Sequence, residues 1–105
     1  MEISVADEPE KGRYGGRTGD RLAGYVAYRR IGTTISLLHT EVDRDFEGEG
    51  VGGALVSAVL DDIRSQGLEV LPFCPFVSSY LRRHPEQADL VPDERRAEFG
   101  LDLAT

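Results

Sequence analysis

Gly48, Gly50, Gly52 and Gly53 put four glycines into six consecutive positions at the start of a stretch with helical apolar spacing. The first backbone N–H groups of a helix have no partner inside it, and the macrodipole adds positive potential there. Glycines let the chain curl and let an anion approach it closely. Residues 47–53 therefore read as a pyrophosphate cradle; the alternative is a tight loop whose glycines serve packing alone. Two further groups carry reactive chemistry. Pro72 and Pro75 bracket the lone cysteine, Cys74, and a strand carrying Pro72 must part from its neighbour there or lie at an edge, so a cleft can open beside the thiol. His39 and Glu41 share one face of an extended segment. Imidazole titrates near neutrality, which makes His39 the natural base, with Glu41 acting directly or through water. A histidine on a strand can equally serve only as a cross-sheet hydrogen-bonding group.

The elements that must hold these groups follow from periodicity. Leu55, Val56, Val59, Leu60 and Ile63 recur at helical spacing, while Ser57, Asp61, Asp62 and Arg64 take the other face. Gly67 stands where a left-handed C-terminal residue is wanted, and residues 68–71 resume as an extended apolar run. Residues 35–76 are thus predicted to form a strand, a glycine turn, a helix and a second strand. Ahead of this unit, residues 1–12 read as a loosely held start with a short strand at 3–6. Thr18-Gly19-Asp20 makes a hairpin turn between extended arms. A strand over 23–30 puts Val26 and Tyr28 on one face, and Ile31-Gly32-Thr33 turns it into a strand over 34–42. There Leu38, Thr40 and Val42 alternate with Leu37, His39 and Glu41. Tyr25 and Tyr28 either pack the core or line a cleft.

After the central unit, Pro75 suits the first turn of another helix, with Phe76, Val77, Tyr80 and Leu81 as its apolar stripe and Arg82 and Arg83 at its end. His84-Pro85 stops it. Residues 92–99 are expected to make one last short helix, and 100–105 a tail or terminal strand. The expected class is α/β: a mixed, mainly antiparallel sheet around a central strand-helix-strand unit with splayed strands. A chain of 105 residues suits one domain, 1–105, with its core at about 14–99.

A net charge of −7 argues against a phosphate-tracking surface, so nucleic acid is not an expected partner. No apolar run approaches the roughly 20 residues that cross a bilayer, and residues 1–4 lack the pattern of a signal peptide. A cytoplasmic protein is expected, with no membrane partner and no metal.

Gly48, Gly50 and Gly53 also spell G-x-G-x-x-G, with Glu69 about twenty residues on. That dinucleotide fingerprint fits poorly, because residues 43–47 separate the glycines from the preceding strand and Glu69 begins the next strand rather than ending it. The arrangement instead resembles the GNAT superfamily of N-acetyltransferases, whose (Gln/Arg)-x-x-Gly-x-(Gly/Ala) loop corresponds to Glu47-Gly48-Glu49-Gly50-Val51-Gly52 here. More narrowly, His39-Thr40-Glu41-Val42, the glycine turn, Pro72-Phe-Cys-Pro-Phe-Val and Tyr80-Leu-Arg-Arg-His-Pro-Glu86 look like the small GNAT branch marked by a cysteine and the glycine loop. The likeness covers roughly residues 14–99. Glu47 departs from the family's Gln or Arg, and Glu49 and Asp45 add negative charge beside a pyrophosphate, which Arg44, Arg82 or Arg83 would offset.

The resemblance implies transfer of an acetyl group from acetyl-CoA to an amine, small or peptidyl. Glu47, Gly48, Gly50, Val51, Gly52 and Gly53 would hold the pyrophosphate. The backbone of Thr40, Glu41 and Val42 would hold the pantetheine arm, and the cleft between that strand and residues 68–74 would take the acyl group. An alkyl amine with a pKa of about 10.4 needs roughly 4.6 kcal/mol to deprotonate at neutral pH, hence the base sought in His39. Tyr80 stands where many members place a tyrosine that protonates the departing thiolate. Cys74 is a buried small residue, a neighbour of the CoA sulfur, or a nucleophile that accepts the acyl group first. Two other readings are a non-catalytic acyl-CoA-binding module and, less fitting, a dinucleotide-binding fragment.

Overall fold

The structure is a computed structural model and describes residues 2–101. Five strands form one sheet in sequence order: β1 (Ser4–Glu8), β2 (Arg13–Thr18), β3 (Arg21–Ile31), β4 (Thr34–Val42) and β5 (Glu69–Pro72). The first three pairings are antiparallel; β4 and β5 are parallel and are joined through helix α1 (Val51–Ser65). Helix α2 (Pro75–Arg83) follows β5, and three short 3-10 segments, Pro85–Leu90, Asp93–Arg95 and Ala97–Phe99, close the described chain. This is the expected mixed, mainly antiparallel α/β architecture. A sheet with one parallel pair is not the doubly wound sheet that a dinucleotide site requires.

Local chemistry explains the elements. The hairpin between β2 and β3 turns on Gly19-Asp20, with Gly19 at φ +59°. Helix α1 ends at Gly67, whose φ of +69° allows two closing bonds, Gly67 N–H to Arg64 O and Leu68 N–H to Ile63 O. Leu55, Val56, Val59, Leu60 and Ile63 are fully buried against the sheet face that carries Tyr14, Val26, Ile35, Leu37 and Val70. Val77 and Leu81 bring α2 onto the same core. The Tyr14 hydroxyl donates to Asp62 Oδ2 at 2.6 Å and ties β2 to α1. Burial, with that carboxylate beside it, raises the Tyr14 pKa far above the ordinary phenol value. Tyr28, tilted against Tyr14, donates to Asp7 and is pushed up to about 12 by burial and that bond.

Three expectations need correction. The start of the chain is not loose: β1 pairs with β2 along its whole length, and the Glu8 carboxylate bridges Arg13 and Arg17 from the next strand. Residues 92–99 form two 3-10 turns rather than one helix. Leu101, in a non-strand conformation, is buried beyond them, and residues 102–105 lie outside the described residues. Thirdly, Leu37 does not share a face with His39 and Glu41. The β3–β4 register steps from Ala27↔His39 to Tyr28↔Leu37 and leaves Leu38 unpaired. This bulge shifts the alternation by one residue, so Ile35, Leu37, Thr40 and Val42 face the helices while Leu38, His39 and Glu41 face away.

Candidate active site

The glycine turn makes the floor of a cleft of about 320 Å³, lined by Glu47, Gly48, Gly50, Val51, Gly52 and Gly53, with Val42, Phe46 and Phe76 as walls. Asp43 accepts from the Asp45 N–H at 2.9 Å and starts a 3-10 turn, Arg44–Phe46, that carries the chain from β4 into the glycines. Gly48 and Gly50 then take φ of +80° and +77°, values that L side chains rarely adopt. The first helical bond runs from Ala54 N–H to Gly50 O at 3.1 Å. The N–H groups of Val51, Gly52 and Gly53 consequently have no partner in the helix and open onto the cleft.

The glycines divide by task. A Cβ on Gly52 would sit 2.6 Å from the Phe76 ring, so this glycine admits α2 rather than a ligand. A Cβ on Gly53 would meet nothing within 4 Å although the residue is helical and lines the cleft. Space is thus left where the chain itself does not need it. A pyrophosphate fits the free amides and the open floor. The local charge is less adverse than the sequence suggests, because Asp45 is paired with Arg21 at 2.9 Å. Glu47 remains on the cleft wall. Arg82 does not reach this site: it donates to Phe99 O at 3.1 Å and packs beside Gly100.

A gap adjoins the cleft. The β4–β5 pairing ends at Leu37↔Pro72, where proline's missing N–H and the Leu38 bulge coincide. Cys74 N–H still donates to Leu37 O at 2.9 Å, and then the chain enters α2 with Pro75 in its first turn. Cys74 is the N-cap residue of α2, is buried, and places Sγ 3.2 Å from Thr40 Oγ1. Beyond Leu37, β4 has no strand beside it on that edge among the described residues. Asp43 N–H is directed at Ala23 O in β3 (2.8 Å), so antiparallel alternation turns the main-chain groups of Val42 and Thr40 toward the open edge and those of Glu41 toward β3.

On the sheet face away from the helices, His39 Nε2 and the Glu41 carboxylate are in hydrogen-bonding contact, both side chains more than half exposed. The Tyr25 ring lies 6.1 Å from the His39 ring, with the Arg13 guanidinium over its far side. Tyr80, on α2, is buried against the core and stacks on His84 at 4.1 Å; its hydroxyl has no hydrogen-bond partner among the described residues. The structure therefore joins Cys74 to Thr40, His39 to Glu41, and the glycines to Val42. Neither Cys74, Tyr80 nor His39 lines the glycine cleft. Phe46 and Phe76 do line it and were missed as site residues. The signal was present in Phe76, which follows the proline that starts α2 and is the one member of the expected stripe left exposed. Among the described residues no cluster of His, Cys, Asp or Glu is arranged to hold a metal, and no helix is long and apolar enough to cross a membrane.

A family model described as GCN5-related N-acetyl-transferase matches residues 13–90, which take in β2 to the end of the first 3-10 segment after α2. Among solved structures, the chain is similar to the NMR structure of a GCN5-like protein from Staphylococcus aureus, with a TM-score of 0.62, 24% identity and 87% of each chain covered. That likeness is one of fold. No curated protein matches.

Proposed function

The chain belongs to the GCN5-related N-acetyltransferases and is an acyltransferase, and on that premise we propose that it transfers an acetyl group from acetyl-CoA to an amine, acting as one domain over residues 1–105. The observation that carries this reading is the continuity of three features along β4: the gap at Leu37↔Pro72 with Cys74 in it, the open edge at Thr40 and Val42, and the free amides of the glycine turn.

The amides of Val51, Gly52 and Gly53 hold the pyrophosphate, and Gly48 and Gly50 give the backbone its curl. Val42, Phe46 and Phe76 pack the pantetheine arm, while the main-chain groups of Thr40 and Val42 hydrogen-bond its amides as a missing strand would. Glu41 contributes backbone position only, since its polar main-chain groups face β3. Acetyl-CoA supplies an activated acyl thioester. Cys74 and Thr40 wall the acyl end of the gap on its helix side.

His39 accepts the proton of the acceptor ammonium, with Glu41 beside it, and so provides a neutral nitrogen. As that nitrogen forms the new C–N bond with the acyl carbon, the C–S bond breaks, the electron pair leaves with sulfur, and Tyr80 gives its phenolic proton to the thiolate. The cysteine with the glycine turn matches the small cysteine-marked branch of the family. An acidic protein without a basic surface acts on a free or peptidyl amine rather than on nucleic acid, and in the cytoplasm. The test is release of CoA from acetyl-CoA by the full chain with and without added primary amines. Amine-dependent release supports transfer; release that amines never accelerate overturns it.

A further inference from the structure

Four large apolar side chains are exposed among the described residues: Ile31, Leu38, Phe73 and Phe76. Ile31 lies at the β3–β4 turn. The other three immediately surround the point where β4 and β5 part. Phe76 is accounted for, since it packs on Gly52 and walls the cofactor cleft. Leu38 and Phe73 are not, at 46% and 47% exposed, and neither lines that cleft.

Their orientation follows from the backbone. Leu37 and its partner Pro72 face the helices. Phe73, the next residue, turns to the other face and meets Phe99 edge-on at 5.3 Å. Leu38 is the bulged residue and projects to that same face beside His39. The His39 ring thus has Leu38 next to it in the chain and Tyr25 at 6.1 Å across the sheet. The base proposed above sits between apolar surfaces on the acceptor side of the gap.

Charge around it is already spent. Glu41 is engaged by His39. Asp43, which with Glu41, Tyr25 and Leu22 lines a shallow hollow nearby, is paired with Arg21 and accepts the Asp45 N–H. One ammonium can be met by Glu41; a second cationic centre finds no free carboxylate in that group. Nor does the rim suit a longer acyl chain, because the Thr40–Cys74 contact at 3.2 Å closes the helix side of the gap and the rim lies on the opposite face.

Resting on the transferase reading, we infer that the acceptor is a primary amine bearing one compact apolar or aromatic substituent, seated on Leu38, Phe73 and Tyr25, and not a polyamine or a lysine-rich segment. An apolar contact of this size discriminates by about tenfold or more in kcat/KM. The experiment measures CoA release at saturating acetyl-CoA with 2-phenylethylamine, isopentylamine, 1,4-diaminobutane and a lysine-rich peptide, for the natural chain and for Leu38→Gln, whose unfolding midpoint is checked in parallel. The expected result is a preference for the two apolar amines of about tenfold or more, collapsing toward unity in a folded Leu38→Gln. Turnover that favours the diamine or the peptide overturns the inference and leaves acetyl transfer standing. An apolar preference unchanged in folded Leu38→Gln removes the rim as its cause and overturns it too. Release by none of the four overturns both readings.

Discussion

The Cys74 sulfur lies 3.2 Å from the Thr40 hydroxyl, across the gap that opens when β5 stops after Pro72. This contact joins the N-cap of α2 to the middle of β4 and puts the thiol at the acyl end of the proposed site, not in the pyrophosphate cleft.

Direct transfer from thioester to amine makes Cys74 a wall of the site rather than an acyl carrier. Cys74→Ala should retain measurable amine-dependent turnover, with intersecting rather than ping-pong initial-rate patterns. Because the side chain is buried, the variant should also lose about 1 kcal/mol of stability, read from chemical denaturation. Complete loss of turnover in a folded variant, together with ping-pong kinetics in the natural protein, would establish a covalent step instead.

Gly53 separates packing from binding. It is helical, and its Cβ position is empty of protein atoms. Gly53→Ala should therefore raise stability by about 0.5–1 kcal/mol. The added methyl enters the cleft, so the same substitution should weaken acetyl-CoA binding severalfold by calorimetry. A variant that is more stable and binds equally well would show that Gly53 serves no ligand.

Glu47 is the carboxylate on the cleft wall where the family pattern has Gln or Arg. Near a helix N-terminus a single charge is worth about 0.3–1 kcal/mol. Glu47→Gln should tighten acetyl-CoA binding by roughly two- to fivefold at low ionic strength. The gain should shrink as salt is added. Unchanged affinity at low salt would place the diphosphate away from residue 47.

Tyr14 supplies a pH signature. Its folded pKa is raised by burial and by the bond to Asp62, so its contribution to stability is fully present below the unfolded value of about 10 and is lost as pH rises through the folded value. Tyr14→Phe should cost about 1–2 kcal/mol at neutral pH. Above about pH 10 the difference between the two proteins should narrow. Denaturation curves from pH 7 to 11 measure both; parallel profiles would mean the phenol does not ionise on unfolding in that range.

The parts of the fold governed by local chemistry were readable in the chain. The hairpin at Gly19-Asp20, the helix closed by Gly67, and α2 opened by Pro75 and stopped before Pro85 all depend on residues within one turn of each other. The Leu38 bulge was not readable, because it is set by the β3–β4 register: alternation along β4 alone puts Leu37 with His39, and the pairing partner decides otherwise. Strand β1 was obscured by Asp7 and Glu8, charges that suggest a solvated terminus until Arg13 and Arg17 are seen beside Glu8. At the site, the glycine count was clear in the sequence but its division was not. Gly52 is required by Phe76, a residue 24 positions away, and only the packed structure separates that need from the open floor at Gly53.

The claim on which the rest depends is that the amides at the start of α1 receive the diphosphate of acetyl-CoA. Amide chemical shifts of the 15N-labelled chain during titration with acetyl-CoA test it residue by residue. The account predicts that the largest saturable changes fall on Val51, Gly52 and Gly53, followed by Thr40 and Val42 on the open edge of β4. No change at millimolar acetyl-CoA, or changes confined to other segments, would contradict it.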